Sequence, residues 1–291
     1  VDRRICFYHS ADLDGKCSAA IVQRYFGAKN IELYGFDYGH QFPWEKVDGE
    51  TEVIMVDLGL QPFSQMLELN RVAKSLTWID HHKSAIDTYL AQEERWQGEL
   101  QTDRAACELV WEYYHDDQPI PRAVFMLGVY DTWRWQDVSG ALEFQYGMRS
   151  VENAPSGAIW DSLFCAGHEV NLVTESIISA GRNILRYTKR QNAIYAKATS
   201  SVLHWEGLTF IASNAQLTNS ALFDSVYDPE QHDAMLTFGW RNNSWTISMY
   251  APKEVCEERG FNLGALAKKH GGGGHVGAAG FQAPLLPFDL V

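Results

Sequence analysis

Residues 9–18, HSADLDGKCS, place one imidazole and two carboxylates (His9, Asp12 and Asp14) within six positions, directly after the apolar run Ile5-Cys6-Phe7-Tyr8. The same pattern of polar groups closing an apolar run returns at Asp57 in EVIMVD, at Asp80-His81-His82 after SLTWI, and at Asp131 in YDTW. Six side chains are thereby candidate metal ligands: His9, Asp12, Asp14, Asp57, His81 and Asp131. Mixed imidazole and carboxylate donors suit Mn²⁺, Mg²⁺ or Fe²⁺ better than structural zinc, which recruits thiolates. The four carboxylates carry a charge of −4 that two divalent ions would cancel. Packed together without metal they would repel one another and take up protons. A two-metal centre resolves the repulsion and supplies chemistry as well, generating hydroxide near neutral pH and stabilising the attacking and leaving oxygens of a phosphoryl displacement.

Each piece also has a plainer reading. DLDG makes an ordinary turn, Asp57 caps a strand, and Asp131 is a solvated carboxylate at a helix end. DHH is harder to set aside, because it places three polar groups directly beside a core strand, where burial is costly. In HGGGGHVGAAGF (270–281) the glycines supply a turn and tight packing. Alternatively, their N–H groups with His275 hold a phosphate or nucleotide edge.

The elements that must position these groups alternate along the chain. Segments 4–8, 31–36, 52–57 and 75–80 are strand-like, with helices expected at 16–26 and 62–73 between them. This predicts a largely parallel α/β sheet whose ligand site lies at the carboxyl ends of its strands. Further helices are expected at 104–115 and 122–131, then a helical connection over 155–197. Two strands around Glu206-Gly207, a helix near 218–227, strands at 234–240 and 244–250, and a last helix at Asn262–Lys269 follow. The expected organisation is a catalytic domain over 1–155, a helical linker over 156–197 and a smaller α/β domain over 198–291.

Composition narrows the function. The chain's 291 residues, 46% hydrophobic, suffice for two cores, and no apolar stretch approaches a membrane span. The N-terminal residues run straight into a strand rather than a signal sequence, and five scattered cysteines without CxxC spacing suit reduced thiols, so a cytoplasmic protein is expected. A formal net charge of −13 disfavours long duplex nucleic acid but not a small anion held by metal.

On these motifs the sequence resembles the DHH phosphoesterases, in the branch with a C-terminal DHHA1 domain. HSADLDGKCS, IMVDLGL, DHH and YDTW are similar to the four motifs of the DHH domain, and GGGGHVGAAGF to the DHHA1 signature. The resemblance implies that His9, Asp12 and Asp57 hold one Mn²⁺, and that Asp14, the shared Asp57, His81 and Asp131 hold the other. A water between the ions would attack phosphorus. Asp80 would orient a ligand, His82 would face the substrate phosphate, and Gly272, Gly273, Gly274 and His275 would grip the terminal phosphate or sugar of a short nucleotide between the domains. Where many members carry an Arg in the strand before the glycine run, this chain has Tyr250, with Arg241 and Asn214 as substitutes.

The implied function is a Mn²⁺-dependent phosphodiesterase releasing nucleoside 5′-monophosphates from short oligonucleotides, with Mg²⁺ or another divalent ion as a replacement and two chains free to associate. Hydrolysis of a cyclic dinucleotide or of 3′-phosphoadenosine 5′-phosphate is the near alternative, and a non-catalytic nucleotide sensor the distant one. A processive exonuclease would need a strand-threading domain for which the chain has no room. Pyrophosphatase chemistry fits the glycine-rich segment poorly.

Overall fold

Sequence patterning predicts two sheets, and the computed structural model, which describes residues 3–38, 40–164 and 172–289, contains them. In chain order the first half runs β1 (Arg3–His9), α1 (Leu13–Phe26), β2 (Glu32–Phe36), β3 (Thr51–Val56), α2 (Ser64–Val72), β4 (Ser75–Asp80), α3 (Lys83–Leu90) and β5 (Gln97–Leu100). Helices α4 (Ala106–Tyr114), α5 (Arg122–Asp131), α6 (Ala141–Met148), α7 (Ile159–Leu163) and α8 (Leu172–Thr199) follow. The second half holds β6 (Ser200–Trp205), β7 (Leu208–Asn214), β8 (Ala234–Arg241), β9 (Ser244–Tyr250), α9 (Lys253–Arg259), α10 (Leu263–Lys269), β10 (Gly273–Gly274) and β11 (Ala278–Ala283).

The first five strands form an all-parallel sheet in the order β2-β1-β3-β4-β5. Both faces are covered, so its central strands β1, β3 and β4 carry continuous apolar runs rather than an alternation. Cys6, Ile54, Val56 and Ile79 face one core with Ile21, Leu109, Val110, Leu127 and Phe144. Ile5, Phe7, Val53, Met55 and Trp78 face another with Met66, Leu69 and Tyr89. The chain leaves β1 for β2 on one side and returns to β3 on the other. That reversal opens a crevice at the carboxyl ends of β1 and β3, where an open α/β sheet binds its ligand.

The compact units are Val1–Leu185 and Arg186–Val291, and α8 runs through the boundary. The second unit is a mixed sheet of six strands, β10-β11-β9-β8-β7-β6, with α9 and α10 packed on one face through Cys256, Leu263, Leu266 and Ala267. Its first hairpin turns at Glu206 and Gly207, both at positive φ, as a two-residue turn between twisted strands requires.

Three differences from the sequence reading have local causes. The expected helix near 218–227 is only a 3₁₀ turn at Ser220–Phe223, capped by Asn219; its apolar residues Leu222 and Phe223 are buried by tertiary contact rather than by helix periodicity. The short α3, α6 and β5 were not anticipated, each being under nine residues with a weak period of its own. The helical stretch expected over 155–197 is divided into α7 and α8; residues 165–171 within it, including Cys165, lie outside the described residues. The other four cysteines are free and buried. No helix among the described residues is long and apolar enough to cross a membrane.

Candidate active site

Every ligand candidate of the first unit sits at a strand or helix end. His9 is the last residue of β1 and Asp12 the N-cap of α1, where its Oδ1 accepts the Gly15 N–H at 3.0 Å. A Cβ at Gly15 would stand 2.0 Å from the His9 carbonyl oxygen, so glycine is what lets α1 start this close to the end of β1. Asp14, in the first turn of α1, is buried, and its two oxygens accept the N–H groups of Ala106 (2.9 Å) and Cys107 (2.7 Å) at the start of α4. Asp57 follows β3 at φ 56°, a left-handed conformation uncommon outside glycine and characteristic of strained functional positions. Asp131 ends α5.

These side chains converge. His9, Asp12 and Asp57 form one group, and Asp14, His81 and Asp131 another, with ligand atoms in each within 4.8 Å of one another. Asp57 joins the two. Its Oδ2 lies 3.6 Å from His9 Nδ1 and its Oδ1 3.3 Å from His81 Nε2. His81 Nε2 is also 3.3 Å from Asp131 Oδ2 and 3.7 Å from Asp14 Oδ2. Asp57, His81 and His82 satisfy the same closeness.

Asp80 is fully buried and does a different job. Its Oδ1 accepts the backbone N–H groups of His81 (2.7 Å) and His82 (3.2 Å) and lies 2.7 Å from His82 Nδ1. A carboxylate can only accept, so the proton of the neutral His82 ring sits on Nδ1. Asp80 thus holds the side chain of His82 and only the backbone of His81.

The electrostatics are those of a crowded acidic cluster. Burial, then the neighbouring Asp57 charge, pushes the Asp14 carboxyl up to about 8. Burial and Asp14 push Asp131 up to about 7, and burial raises Asp57. The carboxylates of Asp12 and Asp57 raise His9 to about 11. Burial opposes the charge on His81, but Asp57, Asp14 and Asp131 overcome it and raise the ring to about 10. Asp12 alone is lowered; burial opposes its charge, but His9 and the Gly15 N–H outweigh that.

Protons therefore occupy places that cations would fill. The residues fit a divalent pair on a second observation as well. His9 Nδ1, Asp57 Oδ2 and Asp80 Oδ2 are buried with no hydrogen-bond partner. His9 Nδ1 is 2.9 Å from Asp12 Oδ2 yet is not aligned for a hydrogen bond. Buried polar atoms that converge without an aligned hydrogen bond are costly unless a cation meets them.

Sequence reading missed two neighbours of the cluster. Asp37, just after β2, has its Oδ1 3.2 Å from His9 Nε2. The following Tyr38 packs its ring 5.5 Å from the His9 ring and 6.3 Å from the His82 ring. The signal was available, since an FDY triplet closes a strand-like segment just as His9 and Asp57 do. On the far side, Arg134 reaches from beyond α5 to pair with buried Glu108 of α4 at 2.5 Å, tying together the helices that carry Asp131 and hold Asp14.

In the second unit the glycine run divides by role. A Cβ at Gly272 would meet the Gly280 oxygen at 2.2 Å, and one at Gly274 the Ala278 oxygen at 2.5 Å, so both are demanded by the β10–β11 pairing. A Cβ at Gly273 would meet nothing within 4 Å. His275 is exposed, its backbone N–H bound to the Ala278 oxygen at 2.8 Å. Tyr250 turns its hydroxyl toward the Thr218 oxygen, and Arg241 lines a small cavity of about 60 Å³ with Thr237, Thr246 and Ser248.

Comparison with known proteins agrees with the geometry. Residues 4–128 match the DHH family, N-terminal domain. The chain is 24% identical to the uncharacterized protein R106 of Acanthamoeba polyphaga mimivirus over 99% of its own length and 70% of that protein. Among solved structures it is similar in fold to the DHH domain of a member of a family of ribosomal proteins (TM-score 0.61, 12% identity, 97% of this chain and 82% of that one). It is also similar to the pGpG-specific phosphodiesterase PggH from Vibrio cholerae (TM-score 0.45, 15% identity, 97% of this chain and 92% of that one). His9, Asp12, Asp14, Asp57, the DHH triplet and Asp131, gathered at one sheet end, lie inside or just beyond the segment, residues 4–128, that matches the DHH family, N-terminal domain.

Proposed function

We propose that this chain is a metal-dependent phosphodiesterase that hydrolyses short oligonucleotides to nucleoside 5′-monophosphates. The observation that carries the reading is Asp57, which presents one oxygen to each of two ligand groups. His9, Asp12 and Asp57 would hold one Mn²⁺, and Asp14, Asp57, His81 and Asp131 the other. Bound there, the pair would supply Lewis acidity and a nucleophilic water at neutral pH. The chain's own groups do the rest. Asp80 orients His82, whose pKa is raised; burial opposes its charge, but Asp80 and then Asp57 outweigh that, and so it meets the phosphate of the substrate as a cation or proton donor. The α4 N–H groups hold Asp14 in place before any ion arrives, which reduces reorganisation on binding.

The second unit acts as a DHHA1-type substrate-binding domain, in which Gly272 and Gly274 shape the hairpin while Gly273 and His275 meet the nucleotide. The net charge of −13 favours short substrates over long strands. Buried reduced cysteines accord with a cytoplasmic protein.

The test is product analysis with Mn²⁺ against linear RNA dinucleotides including pGpG, longer RNA, cyclic dinucleotides and 3′-phosphoadenosine 5′-phosphate. Rapid cleavage of linear dinucleotides, lost in Asp57→Ala, supports the reading. Preference for another substrate renames the substrate and keeps the site; binding without any turnover refutes catalysis in favour of a nucleotide sensor.

A further inference from the structure

We propose that Asp37 is a positioning residue for His9, fixing the ring so that Nδ1 and not Nε2 is the nitrogen offered to metal; the inference rests on the metal reading above. The two ring nitrogens face different surroundings. Nδ1 looks into the cluster, 2.9 Å from Asp12 Oδ2 and 3.6 Å from Asp57 Oδ2, without a hydrogen bond to either. Nε2 looks the other way, 3.2 Å from Asp37 Oδ1. A carboxylate only accepts, so the neutral ring carries its proton on Nε2 and leaves the Nδ1 lone pair for a cation.

Asp37 is itself held. The same Oδ1 accepts the Tyr38 N–H at 2.8 Å, which anchors the carboxylate to its own turn, while the Tyr38 ring packs 5.5 Å from the His9 ring. His9 is therefore gripped at an edge and along its ring by two consecutive residues that follow β2, the strand paired with β1 in register at His9 and Phe36. A carboxylate behind a ligating imidazole sets its tautomer and raises its donor strength. Asp37 is about 40% exposed at its side chain and is in none of the three groups whose ligand atoms converge, which sets it behind His9 rather than among the ligands.

The experiment compares wild type, Asp37→Asn and Asp37→Ala as full chains, with Mn²⁺ as the probe. Free Mn²⁺ counted by electron paramagnetic resonance gives affinity, and long-range ¹H–¹⁵N spectra of the histidines, with His9→Gln used for assignment, give the tautomer with and without diamagnetic Mg²⁺. Expected are an Nε2–H tautomer of His9 in the Mg²⁺-loaded protein, a loss of Mn²⁺ affinity of about 10- to 100-fold in Asp37→Ala, and near wild-type affinity in Asp37→Asn, whose amide oxygen still accepts from Nε2–H. Three results would each overturn the proposal: affinity in Asp37→Ala within about twofold of wild type, equal loss in both variants (which makes Asp37 a ligand), or a His9 proton on Nδ1 in the Mg²⁺-loaded protein. If Asp37→Ala does not fold, the wild-type tautomer and Asp37→Asn still decide. A wild type that binds no Mn²⁺ removes the metal reading itself and this inference with it, before any variant is compared.

Discussion

Loading the acidic cluster with divalent ions must expel protons, and the number follows from the site. Imidazole ligates as the neutral ring and carboxyl as the anion. With His9 raised to about 11 and His81 to about 10, both rings are charged at pH 7. Asp14, at about 8, is mostly protonated there, and Asp131, at about 7, is half protonated. Asp12 is lowered and contributes nothing. Filling the site at pH 7 therefore releases on the order of three protons. Titration of EDTA-stripped protein with Mn²⁺ by calorimetry, in buffers of different ionisation heat, reads this number as the slope of the observed enthalpy. Each proton lost makes apparent affinity rise tenfold per pH unit, so overall affinity near pH 7 should climb about 1,000-fold per unit. The rise slackens above pH 8, where Asp14 and Asp131 have already ionised. Release of fewer than one proton would show that the cluster is not the binding site, or that its carboxyls and imidazoles are not crowded as described.

Stability carries the same sign. Because Asp14, Asp131, His9 and His81 all hold raised pKa values, metal-free protein should lose stability to urea as pH rises, through the two carboxyls from about 4 to about 8 and through the two imidazoles from about 6.5 to about 11, and saturating Mn²⁺ should flatten the loss; rising metal-free stability over that range would refute it. Asp57→Asn should abolish turnover by about 1,000-fold or more, ~4 kcal/mol of barrier, while thermal melting of the metal-free protein holds or improves because a buried charge is gone. Gly15→Ala forces a Cβ into the His9 carbonyl and should cost about 1–3 kcal/mol in urea unfolding, with weakened Mn²⁺ binding. Arg134→Ala strands the buried Glu108 carboxylate and should cost about 2 kcal/mol, part of it restored by adding Glu108→Gln; the exposure of Arg134 keeps the figure below that of a fully buried pair.

Much of the site was legible because its residues end apolar runs. His9, Asp57 and Asp80 each terminate a strand of a sheet buried on both faces, so the sequence marks them by a change of polarity at a fixed place. The same rule would have found Asp37, but one acidic residue beside an aromatic is unremarkable until β2 is known to pair with β1. Glu108 and Arg134 left no signal, since an ion pair between two helices depends on how those helices pack and not on spacing along the chain.

The second unit shows the limit from the other side. Four glycines and a histidine read as one ligand-binding loop, yet two of the glycines are fixed by the close approach of β11. Likewise Leu222 and Phe223 suggested a helix near 218–227 but are buried within a short 3₁₀ turn.

By itself, then, the sequence determined which chemistry is available and which strand ends carry it, because polarity changes at the ends of buried strands are one-dimensional information. Only the tertiary structure decided that Asp57 faces both ligand groups, that α4 holds Asp14, that Asp80 serves His82, and which nitrogen of His9 looks inward. Those facts are set by strand order, by φ at Asp57 and by helix packing, which bring together groups far apart in the chain over distances of a few ångströms.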